Sequence, residues 1–208
     1  MRIAVIGTGG VGGYFGARLS EAGEDVTFIA RGAHLEAMKN KGLAIHSPLG
    51  NMHLDKIQCT DDPSTIAPVD IVMIAVKLWA TNEAIEAARP LLSEGTGIIS
   101  FQNGILAEEL LLKAFTKTHA MGGVANIAAL IEEPGVIRHN GTMASLFFGE
   151  LDNESSSRSK LLLEACEKAN ITASIPEDIN RAIWEKYIRL VTMAAMTTIC
   201  RMPIGPIR

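Results

Sequence analysis

The first sixteen residues constrain this chain more than any other stretch. Ile3-Ala4-Val5-Ile6 is a continuous apolar run, the pattern of a strand buried on both faces. It passes directly into Gly7-Thr8-Gly9-Gly10-Val11-Gly12, where Gly7, Gly9 and Gly12 match G-x-G-x-x-G. Residues 14–22 then suit a helix, with Gly23 as its stop. A glycine turn between a buried strand and a helix is the setting in which this motif binds a dinucleotide. Gly7 allows the tight turn, Gly9 lets a pyrophosphate approach the backbone, and Gly12 lets the helix pack close to the sheet. The helix N-terminus offers free N–H groups and partial positive charge to the phosphates. Gly7, Thr8, Gly9, Gly10, Val11 and Gly12 are therefore the expected cofactor-binding residues.

The second strand, residues 25–30, leads into Ala30-Arg31-Gly32. A NAD-selective fold usually carries an acid here for the adenosine ribose hydroxyls. Arg31 instead offers a planar fork of donors suited to a 2′-phosphate, which predicts NADP.

Two further buried strands end in polar residues. Residues 69–76 run into Lys77, and residues 97–101 run into Gln102-Asn103-Gly104. Ligands in open parallel sheets bind outside the carboxyl ends of strands. Lys77 and Asn103 therefore sit on the same edge as the glycine turn. Lys77 could hold a ribose or a substrate carboxylate, or could simply be solvated. Asn103 suits a hydroxyl contact, or a turn beside Gly104.

Strands alternate with helices, including 34–41, 81–92 and 105–115, so residues 1–175 read as a Rossmann-type doubly wound α/β domain. A small hairpin is expected within 42–55. A second, signalled by Asn140-Gly141, would join 136–142 to 144–149 and add antiparallel edge strands. Residues 158–170 read as helix and 171–175 as a last strand. Residues 180–200 form one long helix without glycine or proline. Its later part, 190–199, is almost wholly apolar or small, so it needs a helical domain or an interface to cover it. The boundary of an all-α second domain is placed near Pro176, giving 176–208 as its first helix.

At 208 residues and 48% hydrophobic, the chain can bury a sizeable core. A net charge of −4 with no basic block argues against a nucleic-acid partner. The longest apolar runs fall short of the ~20 residues of a membrane span. Cys59, Cys166 and Cys200 lack metal-ligand spacing and read as reduced thiols of a cytoplasmic protein. His46 and His53 flank a turn without a third partner, so no metal is expected.

Together these pieces resemble the ketopantoate reductase (2-dehydropantoate 2-reductase) family. The resemblance rests on the glycine turn, Arg31, Ala75-Val76-Lys77, Gln102-Asn103-Gly104, Gly122-Gly123-Val124, Gly135-Val136-Ile137-Arg138-His139 and Ile183-Trp184-Glu185-Lys186, in that order. It implies NADPH-dependent reduction of a 2-oxo acid to a 2-hydroxy acid, the reaction that serves pantothenate biosynthesis in the namesake members. It also implies that Lys186 is the catalytic lysine and that Lys77 and Asn103 contact cofactor and substrate. The chemistry agrees, because an ammonium can stabilise and protonate the developing alkoxide. One position class departs from the pattern: Leu190 and Ala194 stand where the family carries asparagines four and eight residues after the lysine. The substrate pocket is thus expected to be more apolar, and a related 2-oxo acid becomes an alternative substrate. A non-catalytic NADP(H)-binding sensor or scaffold would need the glycine turn and Arg31, but not Lys186. Members of the resembled family continue with more helices. The chain is therefore expected to be a piece of a longer protein, its apolar last helix packing on another chain, as in a homo-oligomer.

Overall fold

A computed structural model describes residues 1–207. Its ten strands are β1 (Arg2–Ile6), β2 (Asp25–Ile29), β3 (Leu43–His46), β4 (Met52–Leu54), β5 (Gln58–Thr60), β6 (Ile71–Ile74), β7 (Gly97–Ser100), β8 (Ala120–Glu133), β9 (Val136–Glu150) and β10 (Thr172–Ser174). Its helices are α1 (Gly10–Glu21), α2 (Gly32–Lys41), α3 (Thr81–Ala88), α4 (Leu106–His119), α5 (Ser157–Lys168), α6 (Ile179–Cys200) and the single turn α7 (Ile204–Ile207).

All strands join one sheet in the order β4-β3-β9-β8-β7-β6-β1-β2-β5, with β10 attached to β9. From β5 to β8 every pair is parallel. Antiparallel pairing enters at β8–β9 and at β3–β4. The pleat explains why β1 is apolar after Arg2, since its alternate residues serve two helical layers. Ile3 and Val5 face a core with Phe15 and Leu19 of α1, Met38 of α2 and Leu162 of α5. Ala4 and Ile6 face another, with Ala84 and Ile85 of α3 and Leu111 and Phe115 of α4. This is the expected doubly wound α/β fold with added antiparallel strands.

Three features differ from the sequence expectation. α1 begins at Gly10, earlier than residue 14, because the turn closes within Gly7–Gly9. β5 adds an unanticipated edge strand beside β2. The second hairpin is also displaced. β8 turns into β9 at Pro134-Gly135, where Gly135 has φ +83°, and β9 then runs unbroken past Asn140-Gly141. Ala129 pairs with His139 but Ile127 pairs with Ala144, so residues 140–143 form a bulge. Gly141 adopts φ +75°, and His139 Nε2 closes the bulge by donating to the Met143 carbonyl at 3.1 Å. A bulge and a hairpin turn both need positive φ, and Asn-Gly satisfies either.

Asp178 caps α6 by accepting from the Arg181 N–H at 3.0 Å. The first turns of α6 rest on the sheet, where Ile179 and Ile183 pack against Val124 of β8. The later turns overhang it, leaving Val191, Met193 and Ile199 exposed. Among the described residues no helix is long and apolar enough to cross a membrane.

Candidate active site

The glycine turn opens on a cleft of ≈ 530 Å³ at the carboxyl edge of the sheet. Gly7 has φ +96°, and a Cβ there would meet Val76 at 2.7 Å. A Cβ on Gly12 would meet the Gly7 carbonyl oxygen at 2.4 Å and Val5 at 2.8 Å. A Cβ on Gly9 would meet nothing within 4 Å. Gly9 lines the cleft, so the space its hydrogen leaves is open to a ligand. No side chain caps the α1 N-terminus, and its first N–H groups lack helical partners. These observations fit a dinucleotide. Gly10 has another constraint: its Cβ would strike the Ala129 carbonyl oxygen at 2.2 Å, so it lets α1 touch β8. The Thr8 hydroxyl is buried and donates to the Ile29 carbonyl at 3.1 Å, which leaves only its backbone for a ligand.

Arg31 reaches the same cleft from the residue before α2. The end of β2 carries no acid, as read from the sequence, but the fold brings in Glu83 from α3 and Asp61 from beyond β5. Glu83 accepts from Arg31 Nη1 at 3.3 Å, an exposed pair worth little to stability.

Lys77 and Asn103 stand apart from this cleft. Both are exposed, following β6 and β7 on the same sheet edge. Gln102 ties their loops together, its amide donating to the Val76 carbonyl at 3.0 Å and the Thr81 hydroxyl at 2.9 Å. This buried glutamine was not singled out in the sequence, although it sits next to Asn103.

Lys186 projects from α6 onto β8, where its half-buried Nζ donates to the Ala125 carbonyl at 2.7 Å. Burial is the main cause that lowers its pKa to about 8. Arg189 adds to the drop and Glu108 opposes it. Arg189 itself donates to Asn126 Oδ1 at 2.8 Å. Thus β8 meets both regions: Ala125 holds Lys186, and Ala129 touches Gly10 of the turn. Four residues of extended strand separate them by roughly 13 Å. The cleft and the lysine thus lie against the same strand, four residues apart.

The ketopantoate reductase PanE/ApbA family profile matches residues 3–153, more than half of the chain. The chain belongs to the ketopantoate reductase family. It is 36% identical to an uncharacterized oxidoreductase, YkpB, of Bacillus subtilis, over all of this chain and 68% of that one. It is 33% identical to a 2-dehydropantoate 2-reductase of Archaeoglobus fulgidus, over 99% of this chain and 66% of the relative. A crystal structure of 2-dehydropantoate 2-reductase from Geobacter metallireducens superposes with a TM-score of 0.92 at 32% identity, covering 100% of this chain and 68% of that one. The chain therefore spans about two thirds of the length of these relatives.

Within this ketopantoate reductase fold one further ionisable group was not found from sequence. Glu108, in the first turn of α4, has a buried Oε2 without a hydrogen-bond partner. Burial raises its pKa to about 7, against its own backbone N–H and the charge of Lys186, both of which lower it. A carboxyl raised in the folded state favours folding fully below about 4.5, and that contribution is lost as pH rises through about 7. At about 1.4 kcal/mol per pH unit, ionising Glu108 costs on the order of 3 kcal/mol of stability. Glu108→Gln is expected to raise Tm at pH 8 and change it little at pH 4. An equal effect at both pH values would contradict this.

Proposed function

We propose that the protein binds NADPH along the glycine turn and Arg31, and reduces a 2-oxo acid, 2-dehydropantoate or a close analogue, to the 2-hydroxy acid. The observation that carries this reading is Lys186: a half-buried ammonium with a pKa near 8, held on the strand that also touches the glycine turn. The nicotinamide supplies the hydride when bound. Gly7 to Gly12 and the α1 N-terminus hold the pyrophosphate, and Arg31 exchanges Glu83 for the 2′-phosphate. Lys77 and Asn103 contact the cofactor and substrate where the β6 and β7 loops meet. Lys186 Nζ stabilises the developing alkoxide and donates the proton that completes the alcohol. Its lowered pKa makes it a stronger acid than an ordinary lysine while leaving it largely charged at neutral pH. Leu190 and Ala194, further along the same face of α6, make an apolar wall that favours an apolar substituent on the 2-oxo acid. Residues 1–175 serve as the cofactor domain, and 176–208 begin a second unit.

The test is oxidation of NADPH and NADH by the full-length protein against a panel of 2-oxo acids. Tight cofactor binding with no turnover on any of them would point to a sensor or scaffold. The same assay reads cofactor choice. Arg31→Ala should weaken NADPH binding by ~1.5–3 kcal/mol, the range for hydrogen bonds to charged groups, and leave NADH nearly unchanged. Equal losses for both cofactors would give Arg31 a purely structural role.

A further inference from the structure

Glu108 is a half-buried ionisable group, its Oε2 fully enclosed, that acts on Lys186 and that the proposed chemistry leaves unused. Its placement follows from a small apolar cluster. Ile105, just before α4, packs with Val124 of β8 and with Ile179 and Ile183 of α6. Glu108 lies three residues beyond Ile105, and Lys186 three residues beyond Ile183. One helical turn therefore carries each charge away from the same contact. Both helices rest on β8, and both groups are half-buried there, where charges act on one another more strongly than in open water. Each influences the other's protonation, although no ion pair joins them among the described residues.

Completing the α4 N-terminus accounts for Glu108 only in part: its own backbone N–H acts on the carboxyl, but Oε2 has no partner among the described residues. An acid in the first turn helps a helix most when it stays ionised, and the exposed Glu109 next to it fills that role. Glu108 is instead held where ionisation is costly, with one oxygen unpartnered. Other charged groups stand on α6 itself. Arg189 of α6 acts against protonation of Lys186. Glu185 pairs with Arg181. β8 offers Lys186 only the Ala125 carbonyl.

We propose that Glu108 is a positioning residue whose carboxylate keeps the Lys186 amine protonated at working pH. Burial and, after it, Arg189 act against the charged form of Lys186, and Glu108 offsets part of that. This rests on the reading of Lys186 as the proton donor only where turnover is concerned; the electrostatic coupling can be measured without turnover. The experiment follows the Lys186 side chain by NMR across a pH titration of the full-length protein, with Lys186→Arg assigning the signal. In Glu108→Gln the midpoint should fall by roughly one pH unit, the low end for loss of a nearby opposite charge. Glu108→Asp should bring part of it back, and Glu109→Gln should leave it in place. An unmoved midpoint in Glu108→Gln, or an equal fall in Glu109→Gln, overturns the proposal. The alkaline limb of kcat should move with the NMR midpoint. A midpoint that moves while the limb stays supports the coupling, and shows that the catalytic reading of Lys186 is the part that fails.

Discussion

Lys186→Ala is expected to lower kcat by ~10²–10⁴-fold, the usual worth of one general acid, with NADPH affinity nearly unchanged. The separation follows from the geometry. Lys186 lies on α6 and contacts Ala125, whereas the cleft around Gly9 and Arg31 contains neither residue. Removing the amine should therefore leave the proposed phosphate and adenosine contacts intact. The wild-type rate should also fall as pH rises through about 8, because a group that must donate a proton stops working once it is deprotonated. The alanine variant should lose that alkaline limb. Steady-state kinetics across pH 6–10, with cofactor binding measured by fluorescence, checks both parts. A variant with near-normal kcat would make Lys186 a structural residue that ties α6 to β8.

Two alanine substitutions in the glycine turn should fail in opposite ways. Gly9→Ala adds a methyl that meets no protein atom within 4 Å, and Gly9 already has negative φ, so the protein should keep its stability. The methyl projects into the space assigned to the pyrophosphate. Overlap of that kind costs ~1–3 kcal/mol or more, a roughly 10–100-fold loss of affinity. Gly12→Ala drives its methyl to 2.4 Å from a backbone oxygen and 2.8 Å from Val5, neither of which can swing away. It should cost stability toward the top of the same ~1–3 kcal/mol range, before any ligand is added. Thermal melts with and without NADPH separate the two. A Gly9→Ala protein that binds NADPH normally would remove the turn from the cofactor site.

The parts of the fold that were legible in the sequence are those where one residue type has few physical uses. A buried strand feeding a glycine turn fits few structures other than β1 and α1, and both are present. Lys186 was legible only through its match to a family motif, because its helix position is equally ordinary on a solvated face. Glu83 and Asp61 were not legible as cleft residues. They arrive from α3 and from the segment after β5, so their meeting with Arg31 exists only in three dimensions. Glu108 looked like any first-turn acid, since nothing local distinguishes a solvated carboxylate from a buried one. Asn140-Gly141 was misassigned for the converse reason: its signal for positive φ is real, but a bulge uses it as well as a turn. β5 is three residues long with two of them polar, too short to show a period.

The attachment of β3 bears on how the chain assembles during synthesis. The β3–β4 hairpin is made early, yet its place in the sheet is beside β9, with Ala44 opposite Val136. About ninety residues must leave the ribosome between the two partners. At roughly 5–20 residues per second that is a wait of ~5–20 s, during which the other edge of β3 has unpaired amides and carbonyls. β1 and β2 need only about twenty-five residues to find each other. The nascent chain can therefore assemble its glycine-turn half first, while the β3–β4 hairpin stays a sticky edge until β9 docks. That interval is where a chaperone would have most to protect.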